Sequence, residues 1–234
     1  MDNNALGRIV DGDTLIFERT VPHAPERVWR AISDQQELTT WMRYPVAFIP
    51  EVHARVDFFG GENIGRVFIV DPPRTLAFSF WDANDPRIDV DWTVRWDLDP
   101  IDGGRGTHIT FTHRQLQGHV MWGVGDGWHA FLDLLIAHVD GRLAEIPAAS
   151  WDDPSYVGRI GQYRSHVSRA LRAFATEAST AARDAIATSH PGDALTALTR
   201  LDLAVQQLYD IARQPGARPD FTPDDTISSG AAQA

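Results

Sequence analysis

Nine histidines and 32 carboxylates give this 234-residue chain the side chains that proton transfer and metal binding use. Their spacing is the informative part. Two histidines four residues apart on a helix, with a glutamate beside the first, would hold zinc on one face; no stretch has that form. His129 and His138 lie nine residues apart, about two and a half helical turns, and so point to different sides. His108 and His113 differ by an odd number in an alternating stretch and fall on opposite faces of a strand, so at most one of them faces a pocket. A surface or hydrogen-bonded role is expected for both. Gly-x-Ser-x-Gly is missing, and no Ser, His and acid stand in a recognisable frame. The pattern therefore assigns no catalytic residue, no metal site and no cofactor. Asp82, Asp85, Asp89, Asp91, Asp97, Asp99 and Asp102 crowd one region, where solvated charge is the expected role. The run Gly103-Gly104-Arg105-Gly106 could cradle phosphate only if a helix began after it, and a strand follows. Arg19 stands apart because it falls on the apolar side of an alternating stretch. A buried arginine needs an anionic partner, either a ligand carboxylate or an Asp or Glu of the protein.

Composition narrows the chemistry further. Cysteine is absent, which excludes disulfides, thiolate catalysis and Cys-ligated metal. Lysine is absent as well, all 21 basic residues being Arg, so neither a Schiff base nor a P-loop lysine can form. A net charge of −11 repels polyphosphate, and no nucleic-acid partner is expected. No apolar run reaches the roughly 18 residues of a membrane span and the start does not resemble a secretion signal, so the expectation is a cytoplasmic protein.

The elements that must position these groups are legible from periodicity. Leu15, Phe17, Arg19 and Val21 share one side of a half-buried strand. Pro25 and Glu26 suit a helix N-terminus, and Ser33-Asp34 caps a second short helix through Trp41. Strand patterns follow over Tyr44–Phe59, Gly65–Val70, Leu76–Trp81, Val90–Leu98 and Thr107–Arg114, with turns at Gly60–Asn63 and Asp71–Arg74. A linker over Gln115–Val124 leads to a long amphipathic helix over Gly125–Ile146, whose stripe is Trp128, Leu132, Leu135, Val139, Leu143 and Ile146. Phe131, Leu134 and Ile136 lie off that stripe and call for a second cover: the C-terminal segment, a second subunit, or packing within the first domain. Beyond Pro147 and a linker at Trp151–Pro154, two further stripes predict an antiparallel helical hairpin. They are Ile160, Tyr163, Val167, Leu171, Phe174, Ala178, Ala181 and Ala185, then Leu195, Leu198, Leu201, Val205, Leu208 and Ala212.

The stretches Ala24–Asp34 (APERVWRAISD), Trp41, Gly60-Gly61, Pro72–Phe80 (PPRTLAFSF), Gly103–His113 (GGRGTHITFTH) and Gly127–Leu135 (GWHAFLDLL) together resemble the activator of heat-shock-protein-90 ATPase homologue family. That family belongs to the START-like group, also called SRPBCC, with the polyketide cyclases and the birch pollen allergen. The likeness covers about Leu15 to Ile146. It implies an α+β helix-grip fold: an antiparallel sheet wrapped around a long C-terminal helix, often enclosing an apolar pocket. The Asn- and Trp-rich signature of the family's eukaryotic chaperone-binding N-terminal domain is absent. The expected organisation is a flexible N-terminus over 1–12, the helix-grip domain over 13–147, the hairpin over 148–214 and a disordered tail over 215–234.

Phe78, Phe80, Trp92, Val94 and Trp96 from the sheet and Trp128, Leu132 and Leu135 from the helix would line such a pocket, with Arg19 as its charged member. The same residues would make an ordinary packed core, and the resemblance points to the cavity. The expected function is binding of a small hydrophobic or aromatic molecule. A cyclase or aromatase acting on a polyketide-like substrate, and a protein-interaction or chaperone-ATPase regulator, are the alternatives, and a homodimer through the hairpin is a further expectation.

Overall fold

The computed structural model describes residues 5–82, 92–114, 116, 118–147 and 154–213. Val90, Asp85, Asp89, Asp91, the linker at Trp151 to Asp153 and the tail over 215–234 lie outside them. Among the described residues nine strands form one antiparallel sheet: β1 (Arg8–Val10), β2 (Thr14–Val21), β3 (Val46–Ala47), β4 (Arg55–Phe58), β5 (Asn63–Asp71), β6 (Thr75–Ser79), β7 (Trp81–Asp82), β8 (Thr93–Ile101) and β9 (Gly106–Arg114). Their order is β1-β2-β9-β8-β6-β5-β4-β3, with β7 paired to β5 off this path. The fold is the α+β helix-grip with a C-terminal helical extension.

Helices α1 (Pro25–Ser33) and α2 (Gln35–Met42) connect β2 to β3. They start where the sequence signals lie. Pro25 opens α1 with Glu26 in the first turn, and the Asp34 carboxylate accepts the Glu37 N–H at 2.9 Å to cap α2. Two expectations differ at the amino-terminal side. Arg8–Val10, within the segment expected to be frayed, pairs with β2. Over Tyr44–Phe59 only Val46–Ala47 and Arg55–Phe58 are strand.

The long helix α3 spans Gly118–Val139, seven residues earlier at both ends than its periodicity suggests. Its end is a Schellman motif. Gly141 sits at φ 74°, the Gly141 N–H donates to the His138 carbonyl at 3.0 Å, and the Arg142 N–H donates to the Ala137 carbonyl at 2.7 Å. Leu143–Glu145 is a separate 3-10 turn. At the other end the glycines hide a helix that packing imposes. A Cβ on Gly125 would lie 2.9 Å from the Tyr163 ring, so this glycine admits the close approach of the next helix.

Helices α4 (Pro154–Ala187) and α5 (Pro191–Arg213) form the antiparallel hairpin. It packs onto the same chain, since Tyr163, Val167, Leu171 and Ile211 belong to the core that contains Leu15, Phe17 and Leu132. Phe131 is covered from within the grip, with Trp41, Tyr44, Phe59 and Trp128 around its ring at 5.8–6.3 Å. On α4 the expected Tyr163, Val167, Leu171, Phe174, Ala178 and Ala185 are buried and one position differs, whereas the α5 stripe shifts by one residue. Ala182 rather than Ala181 is buried on α4, and α5 buries Ala194, Ala197, Ala204, Gln207 and Ile211 while exposing Leu195, Leu198 and Val205. Alanines on both helices leave room for close backbone approach, and that geometry outweighs the larger transfer gain of the leucines.

Candidate functional site

The inner face of the sheet is a ladder of cross-strand rows. One row is Phe17, Phe111, Trp96 and Leu76; the next is Leu15, His113, Val94, Phe78 and Val67. Beyond it the Phe80 N–H donates to the Trp92 carbonyl at 2.8 Å, which places Phe80 and Trp92 together at the end of the described rows. α3 lies across this face through Trp128. Its indole stands 4.3 Å from the Phe111 ring, 5.7 Å from Phe80 and 6.2 Å from Trp96. Leu132 and Leu135 are fully buried beneath it. Phe78 stacks on Phe58 at 5.6 Å, and Phe58 carries the layer to Phe80 at 5.4 Å. Phe78, Phe80, Trp92, Val94, Trp96, Trp128, Leu132 and Leu135 thus share one apolar layer. Its central rings touch.

Among the described residues the layer holds one titratable group, His113, which the parity of β9 puts on the side of Ile109 and Phe111. From the sequence, His108 and His113 fall on opposite faces with a surface or hydrogen-bonded role expected for both, and His113 is not among the expected site residues. Its ring packs edge-on to Phe80 and Trp92, each at 5.8 Å, and to Trp128 at 6.1 Å. The Trp128 Nε1–H donates to His113 Nδ1 at 3.0 Å. Burial lowers the imidazole pKa from 6.5 to about 3, because an apolar surround disfavours the charged form. A neutral imidazole that accepts at Nδ1 carries its proton at Nε2. That Nε2–H is buried and has no hydrogen-bond partner among the described residues, and the same holds for the Trp92 Nε1–H beside it. Each such donor costs about 1–3 kcal/mol while it stays unfilled.

Arg19 belongs to a different neighbourhood. It is 1% exposed and pairs across the sheet with Ile109, two rows from His113, about 14 Å at the usual strand rise. Its Nη1 donates to the Glu18 carbonyl at 3.0 Å, and its guanidinium lies 5.5 Å from the Phe17 ring. The charge of Arg19 is felt by Asp133 and Tyr163, so it faces the seam between α3 and α4. Burial raises the Asp133 carboxyl pKa while Arg159 and then Arg19 pull it down. In the same seam Asp126 accepts from Arg159 Nε, and the Gly7 N–H donates to the Tyr163 hydroxyl at 3.2 Å. That hydroxyl in turn bonds His129 Nδ1 at 2.8 Å. Burial is the main cause that raises the Tyr163 pKa. This chemistry ties the hairpin to α3 and meets the sheet's inner rows at Phe17, on the far side of Phe111 from His113. Among the described residues no group of three or more His, Cys, Asp or Glu could hold a metal ion, and no helix is long and apolar enough to cross a membrane.

With this geometry in hand, comparison with known proteins is specific for family. The model of the family described as activator of Hsp90 ATPase homolog 1-like protein matches residues 22–140, a little over half of the chain. No curated protein is significantly similar in sequence. Among solved structures, the solution structure of CalU16 from Micromonospora echinospora matches with a TM-score of 0.56 at 18% identity, over 68% of this chain and 87% of that one. Its crystal structure matches at 0.52 and 20%, over 70% and 96%. A crystal structure of an HSP90 activator from Plasmodium falciparum matches at 0.51 and 17%, over 55% and 96%. At these identities the likeness is one of fold.

Proposed function

Because the chain belongs to the activator of Hsp90 ATPase homolog 1-like family of the START-like group, we propose that it is a binding module for a small apolar or aromatic molecule. The family and fold suit a ligand-binding or Hsp90-ATPase-activator-like module, and the interior favours the first. One observation carries the reading: two buried N–H groups, on His113 and Trp92, stand unfilled among the described residues in an otherwise apolar layer. Buried donors are nearly always satisfied in folded proteins, and a pair without partners between aromatic rings fits a site that a ligand completes.

The ligand lies at the Trp92–His113 end of the layer, against Phe80 and Trp128, and the touching rings of Trp96, Trp128 and Phe111 form its floor. Arg19 is outside this site. The module binds and orients; it acts as receptor or carrier rather than catalyst. Titration of the full chain with a panel of lipids, polyketides and aromatic acids should quench and shift the emission of Trp92 and Trp128. A flat response across the panel, together with normal folding, would remove the reading. An ATPase assay with Hsp90 tests the chaperone alternative, which predicts stimulation of turnover by the full chain.

A further inference from the structure

The two unfilled donors define what the ligand must present to them. From the His113 and Trp92 geometry we infer that the bound molecule places an uncharged carbonyl oxygen, of an aryl ketone or quinone, against His113 Nε2–H and Trp92 Nε1–H. The inference rests on the binding reading above and specifies the polar half of that site.

The reasoning is one of donors, acceptors and charge. Both groups are donors, so the ligand must bring an acceptor; a hydroxyl would serve only through its oxygen lone pairs. The Trp128 Nε1–H holds His113 Nδ1 at 3.0 Å, which keeps the proton on Nε2 and prevents the ring from turning an acceptor to the ligand. The tautomer is thus fixed from behind by a residue of α3, and His113 reads only acceptors. Charge separates the acceptors from one another. Among the described residues, the rings around His113 and Trp92 are those of Phe80 and Trp128, and none of these supplies a positive charge. Arg19, the buried cation of the inner face, is turned to the α3–α4 seam two rows away. A carboxylate or phosphate brought here would lose its hydration against two neutral N–H groups, and an isolated buried anion costs far more than they return. A carbonyl oxygen has two lone pairs, one for each donor, and a desolvation cost that hydrogen bonds of about 1 kcal/mol each, together with relief of the unfilled donors, offset. The flanking rings then favour a flat, unsaturated body on which they stack.

The test uses three probes of one skeleton with the full chain: acetylnaphthalene, which has the carbonyl; ethylnaphthalene, which lacks it; and naphthoate, which carries a charge. Indole fluorescence gives the affinities, and nitrogen NMR of labelled histidine and tryptophan reports the two N–H groups. Acetylnaphthalene should bind about tenfold or more tighter than ethylnaphthalene, as one to two recovered hydrogen bonds imply, and naphthoate should bind weakest. The His113 Nε2–H and Trp92 Nε1–H signals should move downfield with the ketone alone. Trp92→Phe should remove most of the ketone's advantage and leave ethylnaphthalene nearly unchanged. Equal binding of ketone and hydrocarbon would overturn the inference while leaving the aromatic site standing, because the donors would then be satisfied by a trapped water or by a neighbouring ring face. Tightest binding by naphthoate would overturn it in favour of an anion site. Failure of all three probes would remove the binding reading and this inference together. The tautomer is checked on the unliganded wild type, where a proton on Nδ1 of His113 would overturn the inference whatever the variants do.

Discussion

The two sides of α3 treat polar groups in opposite ways. On the hairpin side the side chains are charged or strongly polar and meet partners: Asp126 with Arg159, Tyr163 with both His129 and the Gly7 backbone, and Asp133 within reach of Arg159 at 3.6 Å. On the sheet side the polar groups are neutral, and two of them are left open at Trp92 and His113. Asp126, Tyr163, Trp92 and His113 are all buried, while Arg159 and Asp133 are partly exposed, so burial alone does not separate the two sides. Charge does. A seam of charged and polar groups that bond one another, with Asp126 Oδ2, Trp122 Nε1 and Gln207 Oε1 left open among the described residues, fixes one arrangement of helices, whereas an apolar layer whose open groups are neutral donors holds hydrogen-bonding capacity in reserve for an uncharged molecule.

The largest expected effect breaks the matched side. Tyr163 is fully buried, packs on Phe17 at 6.4 Å and fills the notch at Gly125. Tyr163→Ala should lower the unfolding free energy by about 3–5 kcal/mol, as large aromatic deletions in cores do. The measurement is a shift in denaturant midpoint at constant slope. Tyr163→Phe keeps the ring, loses the hydroxyl shared by Gly7 and His129, and should cost about 1–2 kcal/mol. A loss under about 1 kcal/mol for the alanine variant would mean that the hairpin contributes little to the stability of the grip. Next comes Asp126→Ala. It removes the nearer carboxylate of the Arg159 guanidinium, whose side chain is 25% exposed while Asp126 is fully buried, and leaves Asp133 at 3.6 Å. Removing one member of a buried pair costs about 3–5 kcal/mol, and the partial exposure of Arg159 reduces this to about 2–3 kcal/mol.

The open side is probed by acid. His113 has its pKa lowered from 6.5 to about 3 in the folded chain, so below pH 6.5 the unfolded chain binds the extra proton first. Stability from this group is complete above about pH 6.5, is lost progressively as pH falls, and stops changing near pH 3. The slope is about 1.4 kcal/mol per pH unit, hence about 2 kcal/mol lost at pH 5. The Glu37 and Asp140 carboxyls, held below their usual range by His138, Arg30 and Arg27 and by Arg142 and His23, add their own losses only at lower pH. The difference between wild type and His113→Gln in urea unfolding from pH 7 to pH 5 isolates the imidazole. Parallel curves would mean that His113 is reached by solvent and that the donors beside it are already hydrated.

Periodicity made the scaffold legible where one face of an element is apolar and its ends carry ordinary caps. β2 is the plain case: Leu15, Phe17, Arg19 and Val21 were expected on one side, and all four are buried. It failed where packing between elements decides. Gly118 and Gly123 fall in the stretch that reads as a linker, yet α3 runs through both, and Gly125, which reads as the first residue of the helix, lies inside it where Tyr163 needs the space. For the candidate site, the aromatic members follow from parity along β6 and β8, and parity also turns His113 inward. What no local pattern encodes is the distance from β9 to α3 that lets Trp128 claim Nδ1 and leaves Nε2–H open. The direction of Arg19 is equally non-local. Its burial follows from β2 alone, but its turn toward Asp133 and Tyr163 depends on how α3 and α4 pack beside the strand.

The smallest expected effect concerns a third surface, which sharpens the contrast by being neither matched nor enclosed. Leu195, Leu198, Val205 and Tyr209 are 67%, 46%, 53% and 53% exposed on the outer side of α5. Within one chain they bury little, so Leu195→Ser or Val205→Ser should change the unfolding free energy by about 0.5 kcal/mol or less. The two substitutions should add, since the positions are ten residues apart and share no partner. Measured at one protein concentration this tests only the intrachain claim. Repeated over a hundredfold range of concentration it becomes a test of the dimer expectation. A midpoint that rises with concentration in the wild type and not in the double variant would mean that a second copy covers the stripe and draws stability from it by mass action. A concentration-independent midpoint in both, with a monomeric mass by light scattering, removes the dimer and leaves the alanine face of α5 as the one on which the hairpin's stability rests.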